Sequence, residues 1–440
     1  MAFLLHGVHV PHKKRTAAMS PLVMDVPGVV SIPMNMHIGK PATPVVKAGD
    51  AVCVGTLIGE QNGYVSSSVY SSVSGMVKEV CEKVQTDGRK AVVVAIESDG
   101  LQTVDPAIKP PVVKNREEFI DAIAKSGIVG LGGAGFPTHV KFAADPEKIE
   151  ELIINGAECE PYITSDTVTM TERSDDMAYA LKVLEEILGI KKVIIGIENN
   201  KKTAIAKMKE LATKDDCVTV KVLPSLYPQG GEKVLIYHTT GKVVETGKLP
   251  IDVGCIVCNC TTLASIGEYL KTGMPLVKKC ITVDGNAIKE PKNIIAPIGA
   301  SVEAVFEFCG GFKEPPGKVL YGGPMMGITV SDLTAPVIKN TNAIIAMSEK
   351  ETKYPKETAC IRCGACVNNC PFGINAAGIL QAHKHKDFEA LTVLGTDTCM
   401  LCGCCSYVCP AARPLVQNMR LAKTALATYR ASKKEEEGKN

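Results

Sequence analysis

Two copies of one cysteine run constrain this chain more than any other feature of its 440 residues. The first reads Cys360-Ile-Arg-Cys363-Gly-Ala-Cys366-Val-Asn-Asn-Cys370-Pro371. The second reads Cys399-Met-Leu-Cys402-Gly-Cys404-Cys405-Ser-Tyr-Val-Cys409-Pro410. Each contains C-x2-C-x2-C-x3-C-P, in which three closely spaced thiolates grip one 4Fe–4S cube and the fourth reaches across to the other. Short steps wrap a tight loop round a cluster corner, and the proline ends the turn. This assigns Cys360, Cys363, Cys366 and Cys409 to one cluster and Cys399, Cys402, Cys405 and Cys370 to the other. The alternative is a pair of structural zinc sites, but these take two C-x2-C pairs per metal rather than three-plus-one with proline. Cys404 is the spare and reads as a free thiol. Such a stretch is suited to moving single electrons.

The length allows roughly three or four domains with real cores. A formal charge of +2 gives no footing for nucleic acid. Nine of the eighteen cysteines lie within the twin runs, and no secretory leader is evident. A reducing cytoplasm is therefore expected, since clusters need thiolates. No window approaches 18 consecutive apolar residues, so work at a membrane would mean docking on partners.

From the N-terminus, Val45 to Glu60 and Tyr70 to Val80 are strand-like runs punctuated by Gly49-Asp50, Gly55 and Ser74-Gly75. That is the pattern of a lipoyl-like barrel-sandwich. Gln61-Asn-Gly-Tyr64 stands where a carrier lysine would sit, so the module reads as packing rather than as a swinging arm. His6, His9 and His12 suit no ligand face, and a solvated, irregular N-terminus is expected. After Pro110-Pro111 come a helix over 116–126, a strand over Glu151–Ala157 and a helix over 172–189. A strand over 192–198, a helix over 201–212 and a strand over 218–223 follow. Alternation of this kind predicts a Rossmann-like parallel sheet. Residues 248–275 are poorly periodic. The stretch from Leu276 through Asp284-Gly285 to Phe308 suggests a β-grasp module, and Tyr321-Gly-Gly-Pro-Met-Met-Gly327 is a further glycine-rich run. The tail Lys433–Asn440 is expected to be disordered.

Between the first helix and strand lies Gly130-Leu-Gly132-Gly133-Ala-Gly135-Phe136-Pro137-Thr138. Glycines so dense let backbone N–H groups approach a bound phosphate or ring. The spacing is not the dinucleotide fingerprint, and on spacing alone an ordinary strained turn is an equal reading.

The full wording, Gly132-Gly-Ala-Gly-Phe-Pro-Thr138 with Lys141-Phe142, resembles the flavin loop of the NADH-oxidising flavoprotein subunit of respiratory complex I. So do Asn155-Gly-Ala-Glu158-Cys-Glu160-Pro161, Tyr227-Pro-Gln-Gly230-Gly231-Glu232 and Asn259-x-x-Thr262-Leu263. The resemblance implies that Gly130, Gly132, Gly133, Gly135, Lys141, Asn155, Tyr227, Gly230 and Glu232 line FMN. It also implies that Asn259 and Thr262 meet the flavin phosphate, and that Glu160 and Glu158 lie at the nicotinamide as catalytic-site carboxylates. The sequence departs from that family at Leu131, in place of Arg, and at Gly231, in place of Glu.

Across nearly its whole length the chain resembles the C subunit of the Rnf complex, the membrane-bound ferredoxin:NAD oxidoreductase that pumps ions. The carriers are His37-Ile-Gly39-Lys-Pro-Ala, Ile154-Asn-Gly-Ala-Glu-Cys-Glu-Pro-Tyr162 and Cys405-Ser-Tyr-Val-Cys-Pro-Ala-Ala-Arg-Pro-Leu-Val-Gln417. The fold this implies is multidomain, α/β with α+β. It comprises a barrel-sandwich over 1–110, a Rossmann-like FMN/NADH domain over 111–247, a β-grasp (SLBB-like) module over 248–330 and a two-cluster ferredoxin-like domain over 331–440. Implied too are two 4Fe–4S clusters, FMN and NAD(H) as cofactors. The implied partners are the other Rnf-type membrane subunits, among them an iron–sulfur subunit, with ferredoxin met indirectly and the chain peripheral on the cytoplasmic face of the membrane. A cobalamin reductase of propanediol-utilising microcompartments shares the domain order and is the competing resemblance. A flavin-free adaptor, and a third metal site at Cys255, Cys258 and Cys260, are the readings from other classes.

Overall fold

The computed structural model describes residues 5–437. The N-terminal barrel-sandwich is built on an antiparallel hairpin, Gly75–Val84 with Lys90–Ser98, flanked by Val29–Pro33 and Ala51–Val52. A second, three-stranded sheet joins Thr43–Pro44, Leu57–Glu60 and Val69–Tyr70. The Gln61–Tyr64 tip does not swing free. Tyr64 meets His139 edge-on at 6.2 Å between ring centroids, and its carbonyl lies 3.1 Å from His139 Nε2.

Four parallel strands follow, in the order Val218–Leu223, Val193–Glu198, Glu151–Gly156, Cys255–Asn259. Every residue of Val193–Glu198 is buried, as expected for a strand covered by helices on both faces. The predicted 172–189 helix is observed as Ser174–Leu188, and a further helix that the sequence reading did not place, Ser165–Glu172, runs just before it. The longer one buries Met177, Ala180, Leu181, Leu184 and Leu188, opens on Asp175 and Asp176, and closes on Gly189 at φ 66°.

Residues 248–275 prove to be ordered. Cys255–Asn259 is the fourth strand, and Cys260–Thr272 is a helix with ten buried residues. Its polar Thr261, Thr262 and Ser265 are buried with its apolar residues, so polar positions do not mark a solvent face in the sequence. The expected 247/248 boundary therefore belongs later, because this strand pairs with Glu151–Gly156.

The β-grasp portion is a six-stranded sheet with the helix Val302–Phe308. It takes in Ala343–Ser348 between Lys278–Asp284 and Pro316–Tyr321, so the expected boundary at 330 cuts through it. Leu22–Val23 joins its edge. The N-terminal segment is irregular and largely exposed, as expected, but it is anchored: Val8 and Val10 are buried, and Val8 pairs with Tyr227. His6, His9 and His12 themselves are exposed. In the last domain Ile374, Ile379, Leu380, Leu391, Leu415, Met419 and Leu426 form a core beside the cysteine loops. The final helix runs Leu415–Glu437, through most of the tail expected to be disordered; 438–440 lie outside the described residues.

Candidate functional site

The parallel sheet changes direction between Glu151–Gly156 and Cys255–Asn259, and ligands of open α/β sheets sit at such a point, beyond the carboxyl ends of the strands. Asn155 and Asn259 are register partners there. The Asn259 side chain accepts from Thr261 N and Thr262 N (3.0 and 3.1 Å), capping the following helix, and donates to Asp166 Oδ2 (2.8 Å). Thr262 Oγ1 accepts from Leu131 N (2.9 Å), drawing the glycine loop onto this edge. A side chain on Gly132 would collide with the Asn259 amide, so glycine is required where the two meet. Asn155 donates to Gly230 O (2.9 Å), and Lys141 to Val257 O (2.7 Å), with Glu232 3.7 Å from its ammonium. Gly130 closes the loop through N–H to Phe136 O (2.8 Å), and Gly135 turns it at φ 73°.

The expected flavin residues thus converge on one edge. Asn155, Asn259, Thr262 and Lys141 spend their polar atoms on neighbouring backbone groups and, for Asn259 and Lys141, on the carboxylates of Asp166 and Glu232, building the cradle's wall. What faces open space is backbone: a Cβ on Gly133 would meet nothing within 4 Å. Gly132, Gly133 and Ala134 line a cavity of about 480 Å³ together with Glu160, Tyr321–Gly323 and the barrel hairpin turn Gln85–Asp87. Its size and its glycine floor fit an FMN-sized group.

The two carboxylates part company. Glu160 enters this cavity and accepts from Met325 N and Met326 N (3.0 and 2.7 Å), while Gly323 leaves it room. Burial lifts its carboxyl to about 7, and the two N–H groups oppose that rise. Glu158 is instead buried against the helix Ser165–Glu172, accepting from Asp166 N and Thr167 Oγ1, both at 2.8 Å. It caps a helix rather than facing the cavity, which corrects its expected place at the nicotinamide.

Cys360, Cys363, Cys366 and Cys409 line one cavity of about 740 Å³. Cys370, Cys399, Cys402 and Cys405 lie close enough to influence one another's ionisation, and burial pushes Cys405 up to about 12. In both loops the backbone is left-handed at matching places, Arg362 and Gly364 (φ 55° and 75°) and Leu401 and Gly403 (60° and 84°). Alternation of right- and left-handed residues makes the concave backbone that suits an anionic group. The thiol donors and this geometry fit two iron–sulfur clusters.

Tyr227 departs from its expected role. It is 2% exposed, and its hydroxyl donates to Cys402 O (2.7 Å), while Gly231 packs on Met400. It bolts the second cysteine loop to the flavin edge. Cys404 is buried beneath it, with its thiol toward Tyr227 O. Cys255, Cys258 and Cys260 turn to separate partners, Val253 O, Asn259 O and Asp166 O, and do not converge on one point. Sequence reasoning missed Met325 and Met326, although the Tyr321–Gly327 run announced a tight loop, and it missed Asn340, which donates to Gly133 O (3.1 Å).

Residues 3–101 match the RnfC barrel sandwich hybrid domain, 123–268 the Nuo51 FMN-binding domain, 280–329 the SLBB domain and 359–412 the 4Fe-4S dicluster domain. The C subunit of the Na(+)-translocating ferredoxin:NAD(+) oxidoreductase complex of Acetobacterium woodii is 42% identical, over 96% of this chain and 97% of its own length. The C subunit of the proton-translocating ferredoxin:NAD(+) oxidoreductase complex of Clostridium ljungdahlii is 40% identical, over 87% and 84%. The C subunit of the ion-translocating oxidoreductase complex of Rhodobacter capsulatus is 36% identical, over 97% and 84%.

Proposed function

The chain belongs to the C-subunit family of ion-translocating ferredoxin:NAD oxidoreductase complexes, and from that premise we propose how its own residues carry electrons between NAD(H) and the rest of such a complex. Gly130, Gly132, Gly133 and Gly135 give the FMN backbone to lie on, with Lys141, Asn155, Gly230, Glu232, Asn259 and Thr262 as the wall behind them. FMN supplies the change of currency, taking a hydride's two electrons and releasing them singly. Glu160 orients the nicotinamide. Cys399, Cys402, Cys405 and Cys370 hold the inner cluster, and Cys360, Cys363, Cys366 and Cys409 the outer one.

The observation that carries this order is the contact between Tyr227 and the Cys402 carbonyl, which seats one cysteine loop against the flavin edge while Cys360 and Cys363 stay exposed. The outer cluster is then the exit to partner subunits, which carry out ion translocation. Among the described residues no helix is long and apolar enough to cross a membrane; the proposed place of the chain is peripheral, on the cytoplasmic face. Anaerobically purified chain is expected to release FMN on acid treatment, to hold about eight iron atoms, and to reduce ferricyanide with NADH without any membrane. Flavin-loaded protein that dithionite reduces and NADH does not would overturn the reading.

A further inference from the structure

The N-terminal segment crosses three parts of the molecule within a dozen residues. Val8 N donates to Tyr227 O (2.8 Å) and Tyr227 N to Val8 O (3.0 Å). Tyr162 N donates to His12 O (3.0 Å), Lys13 reaches Tyr162 Oη (2.7 Å) and Glu351 (2.8 Å), and Arg15 pairs with Asp284 of the β-grasp sheet. Thr16 and Thr164 share a buried hydroxyl contact at 2.6 Å.

At the centre of this strap the Lys14 ammonium donates to Glu158 O (2.8 Å), Glu160 O (2.7 Å) and Ile163 O (2.5 Å). An ammonium has three donors, and all three go to carbonyls of one loop. That loop also holds Tyr162 in a left-handed conformation at φ 70°. A non-glycine residue there is strained and persists only where its surroundings over-determine it. The strap does so, binding Tyr162 by its N–H and its hydroxyl. Glu160 is therefore held at two points: its main chain by Lys14, and its carboxylate by Met325 N and Met326 N.

We propose that Lys14 is a positioning residue for the nicotinamide end of the reaction, fixing the backbone from which the Glu160 carboxylate enters the cavity. The proposal rests on the reading of Glu160 as the carboxylate that orients the nicotinamide. Lys14 touches neither cofactor nor substrate in this role; it acts through Glu160.

The test is a double-mutant cycle in the full chain with FMN and clusters loaded, reading kcat/KM for NADH with ferricyanide as acceptor. Lys14→Gln is expected to lower kcat/KM about tenfold, with FMN and iron contents unchanged. Lys14→Arg recovers part of that, because a planar fork cannot reproduce three convergent bonds. In the Glu160→Gln background, Lys14→Gln is expected to cost nothing further, since residues acting through one another are not additive. Arg15→Met, which breaks the neighbouring ion pair with Asp284, is the fold control and should lower Tm without changing kcat/KM. If Glu160→Gln leaves kcat/KM unchanged, the reading of Glu160 falls and takes the proposal with it. If Glu160→Gln lowers kcat/KM but Lys14→Gln does not, or the two losses multiply in the double variant, the role of Lys14 alone is overturned. Should Lys14→Gln not fold, the same cycle runs with Lys14→Arg, whose shortfall must vanish in the Glu160→Gln background.

Discussion

The two cysteine loops share a spacing, a pair of left-handed residues and a following one-turn helix, Ala365–Asn368 in one and Cys404–Tyr407 in the other. Their surroundings differ. Ile361 of the first is 68% exposed beside exposed Cys360 and Cys363. In the second, Met400 packs on Gly231, and Cys402 is 8% exposed with its carbonyl bonded to Tyr227. The motif determines which metal group is held, and the neighbours determine its place in the electron path. Under the proposed assignment, one site is a relay facing the flavin and its twin is a terminal facing the outside.

The largest effects test whether there are two separable sites at all. Cys363→Ser and Cys402→Ser are each expected to remove about half of the iron, one cluster of two, while FMN stays; iron and flavin assays check this. Loss of all or none in either variant breaks the pairing. Next come the twin glycines. Gly364→Ala and Gly403→Ala both place a side chain at positive φ, which costs about 1–2 kcal/mol. A Cβ at Gly403 also lies 2.8 Å from Met325 O, whereas at Gly364 its nearest neighbour is Asn368 Nδ2 at 3.8 Å. Gly403→Ala is expected to lose the more stability of the two, by a further 1–2 kcal/mol or so from overpacking, as read from denaturant melts. Equal losses would erase the difference in surroundings.

Glu160 shares the Met325–Met326 loop with the inner site, and burial lifts its carboxyl to about 7. As pH falls through about 7 the carboxylate takes a proton, so kcat/KM for NADH should drop on the acid side and that limb should vanish in Glu160→Gln. The sign for stability is opposite. The folded chain holds this proton more tightly than the unfolded one, so stability falls as pH rises from the ordinary carboxylate range to about 7. Reduction of the outer cluster by dithionite should show neither trend. The smallest effect is that of Tyr227→Phe, which removes one hydrogen bond worth roughly 1 kcal/mol. A redox titration should show the inner cluster's potential shifted and the outer one's unmoved.

Much of this was legible because it is local. The cysteine runs, the glycine loop and the strands at Glu151, Val193 and Val218 each declare themselves within a dozen residues. What escaped depends on long-range burial. The Cys260–Thr272 helix buries Thr261, Thr262 and Ser265 along with its apolar residues, and Ala343–Ser348 belongs to the β-grasp sheet only through pairing with Lys278–Asp284 and Pro316–Tyr321. Glu158 and Glu160 stand two residues apart in the same phrase, yet one caps a helix and the other enters the cavity. Lys14 carries no local signal at all: its place is set by three carbonyls 144 to 149 residues away along the chain.

The order flavin, inner cluster, outer cluster can be tested by following NADH reduction in the two single-cluster variants by freeze-quench electron paramagnetic resonance. In Cys363→Ser the remaining inner cluster should be reduced by NADH at the wild-type rate. In Cys402→Ser the remaining outer cluster should accept electrons from dithionite but not from NADH on the same timescale. An outer cluster that NADH reduces as quickly without its inner neighbour as with it would contradict the account.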